Sequence, residues 1–410
     1  MSRIRKSAGI LCLTAILFLS SCQKQEDTLP KEEYVQGMDY QYMYDNQPMA
    51  EAPEGYYFRV SDFLYYIGKD TMEPVPLCNK PNCLHQQEQD PEKVADCSAF
   101  FRDSRAEPLL AYYDGAVYLT ALKDPFDSSG AIDLIRIKTD GTERETVLEL
   151  PENSGVCLIH RGYLYYTVDT YNIELDADYG VYRQSLQGGK PELIYKGQWE
   201  QGSIRSLAAY GGYLYIEDSV SYFDQQRVVF EVLVQDLRTG ETGPAFAHPE
   251  MADPMMPKFL NGKIYNSIYH NQDLEDSAEH YYEHFTCDLD GGNRQAADFP
   301  SDPTKAYRTD ADSIWYYTIP WQRDQALVLR RLDEEGNILA EWPAPDYSAS
   351  AEMIPGGKEH FFFTDWEETG EGNREFVLSY MEKNPEDGIL KPQVCMRIRE
   401  EDYRKAIVRN

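Results

Sequence analysis

Apolar and polar residues alternate with a period of two along most of the chain, which is the pattern of β-strands with two different faces. Residues 210–216, with the sequence YGGYLYI, show it clearly, because a tight Gly-Gly turn leads into a tyrosine-rich strand. Turns of the same kind recur along the chain. One residue of each is Asp62, Gly115, Gly162, Gly212, Gly262, Asp312 and Gly357, at spacings between 45 and 53 residues. A nearly constant period in this range indicates a repeat protein.

Six of the seven repeats contain a second turn. These second turns lie at residues 140–141, 188–189, 239–240, 291–292, 335–336 and 387–388. Two hairpins per repeat give four strands, and four strands in about 50 residues are typical of one blade of a β-propeller. The sequence therefore predicts an all-β fold, namely a seven-bladed β-propeller of four-stranded blades. No helix is expected before residues 400–409.

Two strand patterns lie outside this plan, one at residues 40–44 and one at Val394, Met396 and Ile398. An open ring would leave its terminal blades with an uncovered apolar face, and repeat proteins cover their ends. We therefore expect one of these strands to complete the blade that the other end of the chain contributes.

The first and third connections of each repeat are short, whereas the middle connections are long and differ from one another. Residues that bind ligands collect on loops held by a rigid scaffold. The candidate ligand-binding residues on these loops are Tyr171, Tyr222, Trp321 and Trp366. If the two tryptophans point outward, they offer a stacking surface for a sugar ring or for a side chain of another protein. The alternative is that each ring caps the core of its own blade.

The first 21 residues have the composition of an export signal. Arg3, Arg5 and Lys6 precede a short apolar run at residues 10–19, which is far below the roughly 20 residues that span a membrane. The segment then ends in LSSC, which resembles the lipobox of bacterial lipoproteins. The resemblance implies that Cys22 is lipidated and becomes the first mature residue. The alternative is a plain secretory signal with an incidental cysteine.

On this interpretation the chain has a lipoprotein signal peptide (1–21), a lipidated tether (22–33) and a single β-propeller domain (34–410). Lipidation predicts a protein that is anchored in the cell membrane and faces outside the cytoplasm. The formal net charge is −31 at pH 7. Such an acidic chain repels phosphate groups, which argues against a nucleic-acid partner and leaves the lipid to hold the protein at an anionic membrane.

One cluster of metal-binding residue types stands in the first repeat. It contains Cys78, Cys83, His85 and Cys97. Three thiols and one imidazole form a complete ligand set for a tetrahedral structural zinc site. The alternatives are a disulfide with one thiol left over, or three inert thiols. We expect the cluster to replace the second hairpin turn of the repeat and to staple a long insertion there. The isolated Cys157, Cys287 and Cys395 are expected to be packing residues.

Together with the lipobox and the tyrosine-rich repeats, this pattern is similar to that of a group of uncharacterised surface lipoproteins of anaerobic Gram-positive bacteria. In that group a Cys-x-Lys-Pro-x-Cys-x-His segment and a later cysteine open a predicted propeller. The matching residues here are Cys78, Lys80, Pro81, Cys83, His85 and Cys97. The resemblance implies a location and a fold, and it brings no known activity with it.

The sequence contains no nucleophile elbow, zinc-protease motif, phosphate-binding loop or dinucleotide fingerprint. Two classes of function remain. The first is a binding, sensing or interaction module for an extracellular ligand or an envelope protein. The alternative is a propeller glycoside hydrolase or polysaccharide lyase, for which the many acidic residues offer carboxylate pairs but single out none. A structural zinc ion at the cysteine cluster is the one candidate cofactor, and no other cofactor is expected.

The lipobox interpretation makes a direct prediction. Cys22→Ala removes the thiol that carries the lipid, so lipid labelling should be lost and the protein should leave the membrane fraction. The measurement is metabolic labelling with a fatty acid, followed by fractionation. Unchanged membrane fractionation of the variant would contradict lipidation at Cys22.

Overall fold

A computed structural model describes most of the chain from Met49 onward. The described residues are 49–88, 90–102, 108–125, 131–151, 153–168, 179–199, 202–222, 227–249, 252–260, 262–270, 281–297, 305–309, 314–318, 327–333, 337–344, 352–356, 360–383 and 390–404. The expected signal peptide, the tether with Cys22, the strand at residues 40–44, Tyr171 and Trp321 lie outside this part of the chain.

The described strands form seven antiparallel sheets, each built from strands that follow one another in the sequence. The first sheet contains β1 (Met49–Ala52), β2 (Gly55–Val60), β3 (Phe63–Gly68) and β4 (Pro74–Pro76). The second contains β5 (Leu110–Tyr113), β6 (Ala116–Leu122), β7 (Ile132–Lys138) and β8 (Glu145–Leu150). The third contains β9 (Ser154–His160), β10 (Tyr163–Val168), β11 (Gly180–Ser185) and β12 (Glu192–Lys196).

The remaining sheets follow the same order. The fourth contains β13 (Gly202–Tyr210), β14 (Tyr213–Tyr222), β15 (Arg227–Asp236) and β16 (Thr242–Pro244). The fifth contains β17 (Asp253–Pro254), β18 (Lys258–Leu260), β19 (Lys263–His270), β20 (Tyr281–Asp288) and β21 (Gln295–Ala296). The sixth contains β22 (Lys305–Thr309), β23 (Ile314–Thr318), β24 (Leu327–Leu332) and β25 (Ile338–Ala344). The seventh contains β26 (Glu352–Gly356), β27 (His360–Thr369), β28 (Asn373–Lys383) and β29 (Leu390–Arg399).

The prediction of an all-β chain made of four-stranded sheets is confirmed, and the fifth sheet differs by one extra short strand, β18, which pairs with β19. The turn between β5 and β6 shows why the repeat was visible in the sequence. Asp114 and Gly115 both have positive φ, 45° and 75°, as a two-residue hairpin turn of the favoured type requires. Such a turn accepts Asp-Gly readily, which explains the recurring Gly and Asp signal.

Three expectations about particular segments were wrong. The sequence pattern placed the turn at Asp62 between the first and second strands of its repeat. In the structure this turn joins β2 to β3, because the sheet begins one strand earlier, with β1. Val394, Met396 and Ile398 do not lie outside the repeats, since they belong to β29, the fourth strand of the last sheet. A short helix, α1 (Pro91–Ala95), lies in the first repeat, where none was expected. The expected C-terminal helix begins as predicted, as α2 (Glu400–Arg404).

The expected middle loops at residues 218–226 and 365–373 begin with strand residues. β14 continues to Tyr222 and β27 continues to Thr369. The polar residues that suggested loops have partners inside the sheets. The carboxylate of Asp218 is fully buried and accepts hydrogen bonds from the Tyr195 hydroxyl (2.6 Å) and the Gln198 amide (3.1 Å). Because a buried polar group is tolerated when it is hydrogen-bonded, polarity alone does not indicate a loop.

Tyrosines of the repeats fill the interfaces between sheets. The hydroxyl of Tyr56, in β2, donates a hydrogen bond of 2.9 Å to the carbonyl of Gly356, in β26. The same ring packs edge-on against Phe362 of β27, at 4.8 Å between ring centres. The first and last sheets therefore share one apolar cluster, which also contains Phe58 and Leu378.

Among the described residues, no helix is both long and apolar enough to cross a membrane.

The contact between the first and last sheets can be tested at Tyr56. Tyr56→Phe leaves the buried Gly356 carbonyl without this donor, and an unsatisfied buried group costs about 1–3 kcal/mol. We therefore expect the free energy of unfolding, measured by urea denaturation, to fall by about that amount. Tyr66→Phe is the control, because the Tyr66 hydroxyl bonds the Glu54 carbonyl at an exposed position within the first sheet. An equal loss in both variants would contradict a specific contact between the sheets.

A second prediction concerns Asp62. Burial raises the pKa of this carboxyl to about 6, although Arg102 and Arg59 oppose the shift. An ordinary aspartate in the unfolded chain has a pKa of about 3.9. The folded state therefore holds the proton more tightly, so Asp62 lowers stability progressively as the pH rises from about 4 to about 6. The Asp62→Asn variant has no carboxyl group at this position and therefore lacks this pH-dependent loss of stability.

We expect the stability of the Asp62→Asn variant, relative to the native protein, to increase across that pH range and to stay constant above it. Urea denaturation of both proteins at pH 4, 5, 6 and 7 measures the difference. A stability difference that does not change with pH would show that Asp62 has an ordinary pKa.

Candidate metal centre

The cysteine segment is an insertion in the outer edge of the first sheet. After β4, the amide of Leu77 donates to the carbonyl of Leu64 (2.8 Å), and the amide of Leu64 donates to the carbonyl of Ala99 (2.9 Å). Phe100 then forms a bridge with Phe63 on the same edge. One residue of β3, Leu64, thus pairs with both ends of the insertion, and residues 78–98 form an excursion between them.

This position corrects the sequence-based expectation. The segment follows the fourth strand of the first sheet and does not replace the turn between the third and fourth strands. The hairpin connection from β3 to β4 is made instead by residues 69–73, where Met72 has a positive φ of 54°. The reason is that β4 is only three residues long and has no alternating pattern that a sequence could reveal.

The first half of the insertion is shaped by a tight turn. The amide of Cys83 donates to the carbonyl of Lys80 at 3.4 Å, and Asn82 has a φ of 60°. Proline at the second position and asparagine with positive φ at the third position fit a type II turn. His85 also has a positive φ, 50°, and starts a short 3₁₀ turn (His85–Gln87). This break in the extended backbone permits Cys83 and His85 to lie close together although only one residue separates them.

The second half returns through α1. The side chain of Asp90 caps this helix by accepting a hydrogen bond from the amide of Glu92 (3.2 Å), and Pro91 occupies its first turn. The amide of Cys97 donates to the carbonyl of Val94 at 2.9 Å, just beyond the helix. The capped helix therefore directs the chain back toward the start of the insertion.

The two halves bring the four candidate ligands together. The ligand atoms of Cys78, Cys83, His85 and Cys97 all lie within 4.8 Å of one another. The Sγ of Cys97 lies 3.5 Å from the Nδ1 of His85. Zn–S bonds of about 2.3 Å and a Zn–N bond of about 2.0–2.1 Å at the tetrahedral angle separate these two atoms by roughly 3.5 Å. The described residues can thus hold a metal ion, as the sequence predicted.

The surroundings favour ionised sulfur at one ligand and oppose it at another. Burial disfavours the Cys78 thiolate, but hydrogen bonds from the amides of Lys80 and Ser98 outweigh it and lower the pKa of Cys78 to about 7. Burial raises the pKa of Cys97 to about 12, and the charges of Cys78 and Cys83 add to the rise. The positive charge of a bound metal ion would offset the repulsion between the three thiolates. A thiol that coordinates a metal is therefore deprotonated.

The imidazole also has the form that a metal requires. Burial lowers the pKa of His85, so that the ring is neutral at physiological pH. Thiolate and imidazole are usual ligands of zinc, so the donor set is compatible with a zinc ion. Three thiols and one imidazole are enough to fill the four positions of a tetrahedral structural site.

Other parts of the insertion fix its outer surface. Lys80 forms an ion pair with Asp96 (3.0 Å) and also donates to the Asp96 carbonyl, which ties the first half to the second. Leu84, between two ligands, is 54% exposed. The insertion thus presents an apolar side chain on a turn that its neighbours hold in place.

Two of the proposed ligand-binding aromatic residues are described by the structure. Tyr222 lies at the end of β14 and is 39% exposed. Trp366 is partly buried, with its ring 5.0 Å from that of Tyr403 and 5.8 Å from that of Phe376. These contacts are those of the alternative in which the ring caps its own sheet.

The isolated cysteines and His284 are explained by packing. Cys157 and Cys287 are buried, as expected, and Cys395 is partly buried against the core of the first and last sheets. His284 lies in β20, where its Nδ1 is 2.7 Å from the hydroxyl of Ser267 on the neighbouring strand.

Sequence reasoning missed the contribution of the second sheet to this site. Gly141 and Arg144, in the turn between β7 and β8, both contact the insertion. The sequence identified Gly141 only as part of a predicted turn. No sequence pattern indicated that Arg144 contacts the insertion. A contact between residues this far apart in the chain is visible only in the folded structure.

Comparisons with known proteins show distant structural similarity alone. No protein-family model and no curated protein matches the sequence. A xyloglucanase of glycoside hydrolase family 74 from Xanthomonas campestris is 13% identical, with a TM-score of 0.44; the match covers 88% of this chain and 55% of that one. An acylaminoacyl peptidase from Pyrococcus horikoshii is 11% identical with a TM-score of 0.47, over 82% and 51% of the two chains. An oligogalacturonate lyase from Vibrio parahaemolyticus is 10% identical with a TM-score of 0.40, over 65% and 71%.

This chain therefore spans only about half the length of the xyloglucanase and of the peptidase. Similarity at this level carries no argument about what the chain binds or catalyses.

Proposed function

We propose that this protein is a lipid-anchored surface β-propeller that acts as a non-catalytic binding module for an extracellular ligand or an envelope protein. The observation that carries the proposal is the closed set of four ligands at the base of the insertion. Such a set holds a structural zinc ion, and a zinc ion with four protein ligands has no position for a substrate or a water molecule. The best-defined chemical site in the described chain therefore serves to hold a surface segment in one conformation.

Contacts between successive sheets support a ring of seven blades. β1 lies beside β5, β5 beside β9 and β9 beside β13. Further along the chain, β15 lies beside β17, β18 beside β22 and β25 beside β29. Tyr56 then joins the last sheet to the first. A series of contacts in chain order that returns to its start is the pattern of a closed propeller.

The proposed surface location is supported by the sequence. The signal-like segment and the lipobox precede a polar tether, and the net charge of −31 favours a solvated surface. Leu84 in the insertion and Tyr222 at the end of β14 are exposed apolar residues. An apolar or aromatic side chain on a fixed turn is a suitable contact for another molecule, because little conformational entropy is lost on binding.

The experiment measures metal content in the purified mature protein and in His85→Ala. We expect about one zinc per native chain, as determined by elemental analysis, and few reactive thiols until a chelator is added. In His85→Ala one of four ligands is missing, so zinc should be retained more weakly. Circular dichroism should still show the strand signal, because the insertion lies outside the seven sheets.

The control is His248→Ala, which alters a histidine whose ring is bonded to the adjacent Pro249 carbonyl in a surface loop. It should retain zinc like the native protein. Native protein without zinc, with a peptide map that shows two of the three cysteines joined in a disulfide, would overturn the zinc centre.

A further inference from the structure

The four ligands leave the zinc centre of the proposed function with a net negative charge. Zn²⁺ with three thiolates and a neutral imidazole has one net negative charge. The ligand Cys97 is buried and the other three are partly buried. Bringing a net charge out of water is unfavourable unless a partner of opposite charge lies close to it. Backbone amides of Lys80, Ser98 and Ala99 point to the sulfurs, but amide dipoles carry only partial charges.

The second sheet contributes a residue with a full positive charge, Arg144, which contacts the segment that carries Cys97. Arg144 immediately precedes β8, and its Nη1 donates to the carbonyls of Cys97 (3.4 Å) and Ser98 (3.2 Å), and also to that of Phe100. The Arg144 side chain is partly buried at this position. The guanidinium group thus loses part of its hydration and instead donates hydrogen bonds to three carbonyl groups of the segment that carries Cys97.

The same hairpin touches the other end of the insertion. Gly141 has a φ of 77°, and a Cβ atom there would lie 2.9 Å from the carbonyl carbon of Leu77 and 3.0 Å from the amide nitrogen of Cys78. A side chain at this position would therefore push Cys78 away. The turn between β7 and β8 supports both ligands at the neck of the insertion, Cys78 through close backbone packing and Cys97 through Arg144.

We propose that Arg144 is the counter-charge and positioning residue of the zinc centre, and that it couples metal binding to the docking of the second sheet against the first. The inference rests on the zinc centre proposed above. Arg144 holds the backbone on both sides of Ser98 and thereby fixes where the sulfur of Cys97 lies. Its charge offsets the negative charge of the metal–thiolate group in a partly dry environment, where electrostatic interactions are strong.

The test compares Arg144→Gln, Arg144→Lys and the native protein. Zinc affinity is measured by competition with a chromophoric chelator, and the ligand field is followed through the absorption of Co²⁺ bound in place of zinc. Loss of partners outside the ligand shell typically lowers metal affinity 10- to 100-fold. We expect a loss in that range for Arg144→Gln and recovery of part of it in Arg144→Lys, which restores the charge without the planar fork.

A second readout separates this role from a merely structural one. In the native protein, zinc should raise the melting temperature and slow hydrogen exchange in residues 140–144. In Arg144→Gln both zinc-dependent effects should shrink. If Arg144 only stapled the insertion, the variant would lower the stability of the metal-free and metal-bound forms equally, and zinc affinity would not change.

The matched control is Arg136→Gln, which removes a surface arginine of β7 that pairs with Glu145 (3.0 Å). Zinc affinity should be unchanged in this variant. Native zinc affinity in Arg144→Gln would overturn the inference and leave the zinc centre intact. Failure of the native protein to bind zinc or Co²⁺ would overturn both.

Discussion

Every sheet in this protein is too small to bury its own two faces, and the rest of the structure depends on that constraint. A four-stranded sheet with apolar residues on both faces is stable only if a neighbour covers each face. The residues that meet this need are tyrosines and phenylalanines, which bury large areas and place their hydroxyl groups against carbonyls of the next sheet. Tyr56 does so between the first and last sheets, and Tyr215 donates to Leu289 between the fourth and fifth. Because the sheets are held together by packing against their neighbours, the surface loops can differ in length and sequence.

The insertion at residues 78–98 uses that freedom and meets a different constraint. Val94 and Cys97 of the insertion belong to the core shared by the first and last sheets, while most of its other described residues are exposed or partly buried. Its two ends meet at Leu64, and two of the four ligands, Cys78 and Cys97, lie next to that meeting point. A metal ion bound by these residues would close the loop at its neck. Arg144 and Gly141 extend the same contact to the second sheet.

Local patterns in the sequence predicted what local chemistry determines. The Asp-Gly turn at Asp114 requires positive φ, and the spacing of such turns revealed the repeat. The cluster of candidate metal ligands was also predictable, because Cys and His are residue types that bind metal ions. The pairing between residues far apart in the sequence was not predictable. Nothing near Leu77 indicates that its partner is Leu64 or that the strand resumes at Ala99. Polar residues such as Asp218 suggested a loop because the sequence does not show their hydrogen-bond partners.

The central claim is that Cys78, Cys83, His85 and Cys97 form one closed zinc centre. X-ray absorption at the zinc edge of the native protein tests it most directly, because it reports the identity and distance of the atoms bound to the metal. The account predicts three sulfur atoms at about 2.3 Å and one nitrogen atom at about 2.0–2.1 Å, with no bound water. A shell dominated by nitrogen and oxygen, or fewer than three sulfurs, would contradict it.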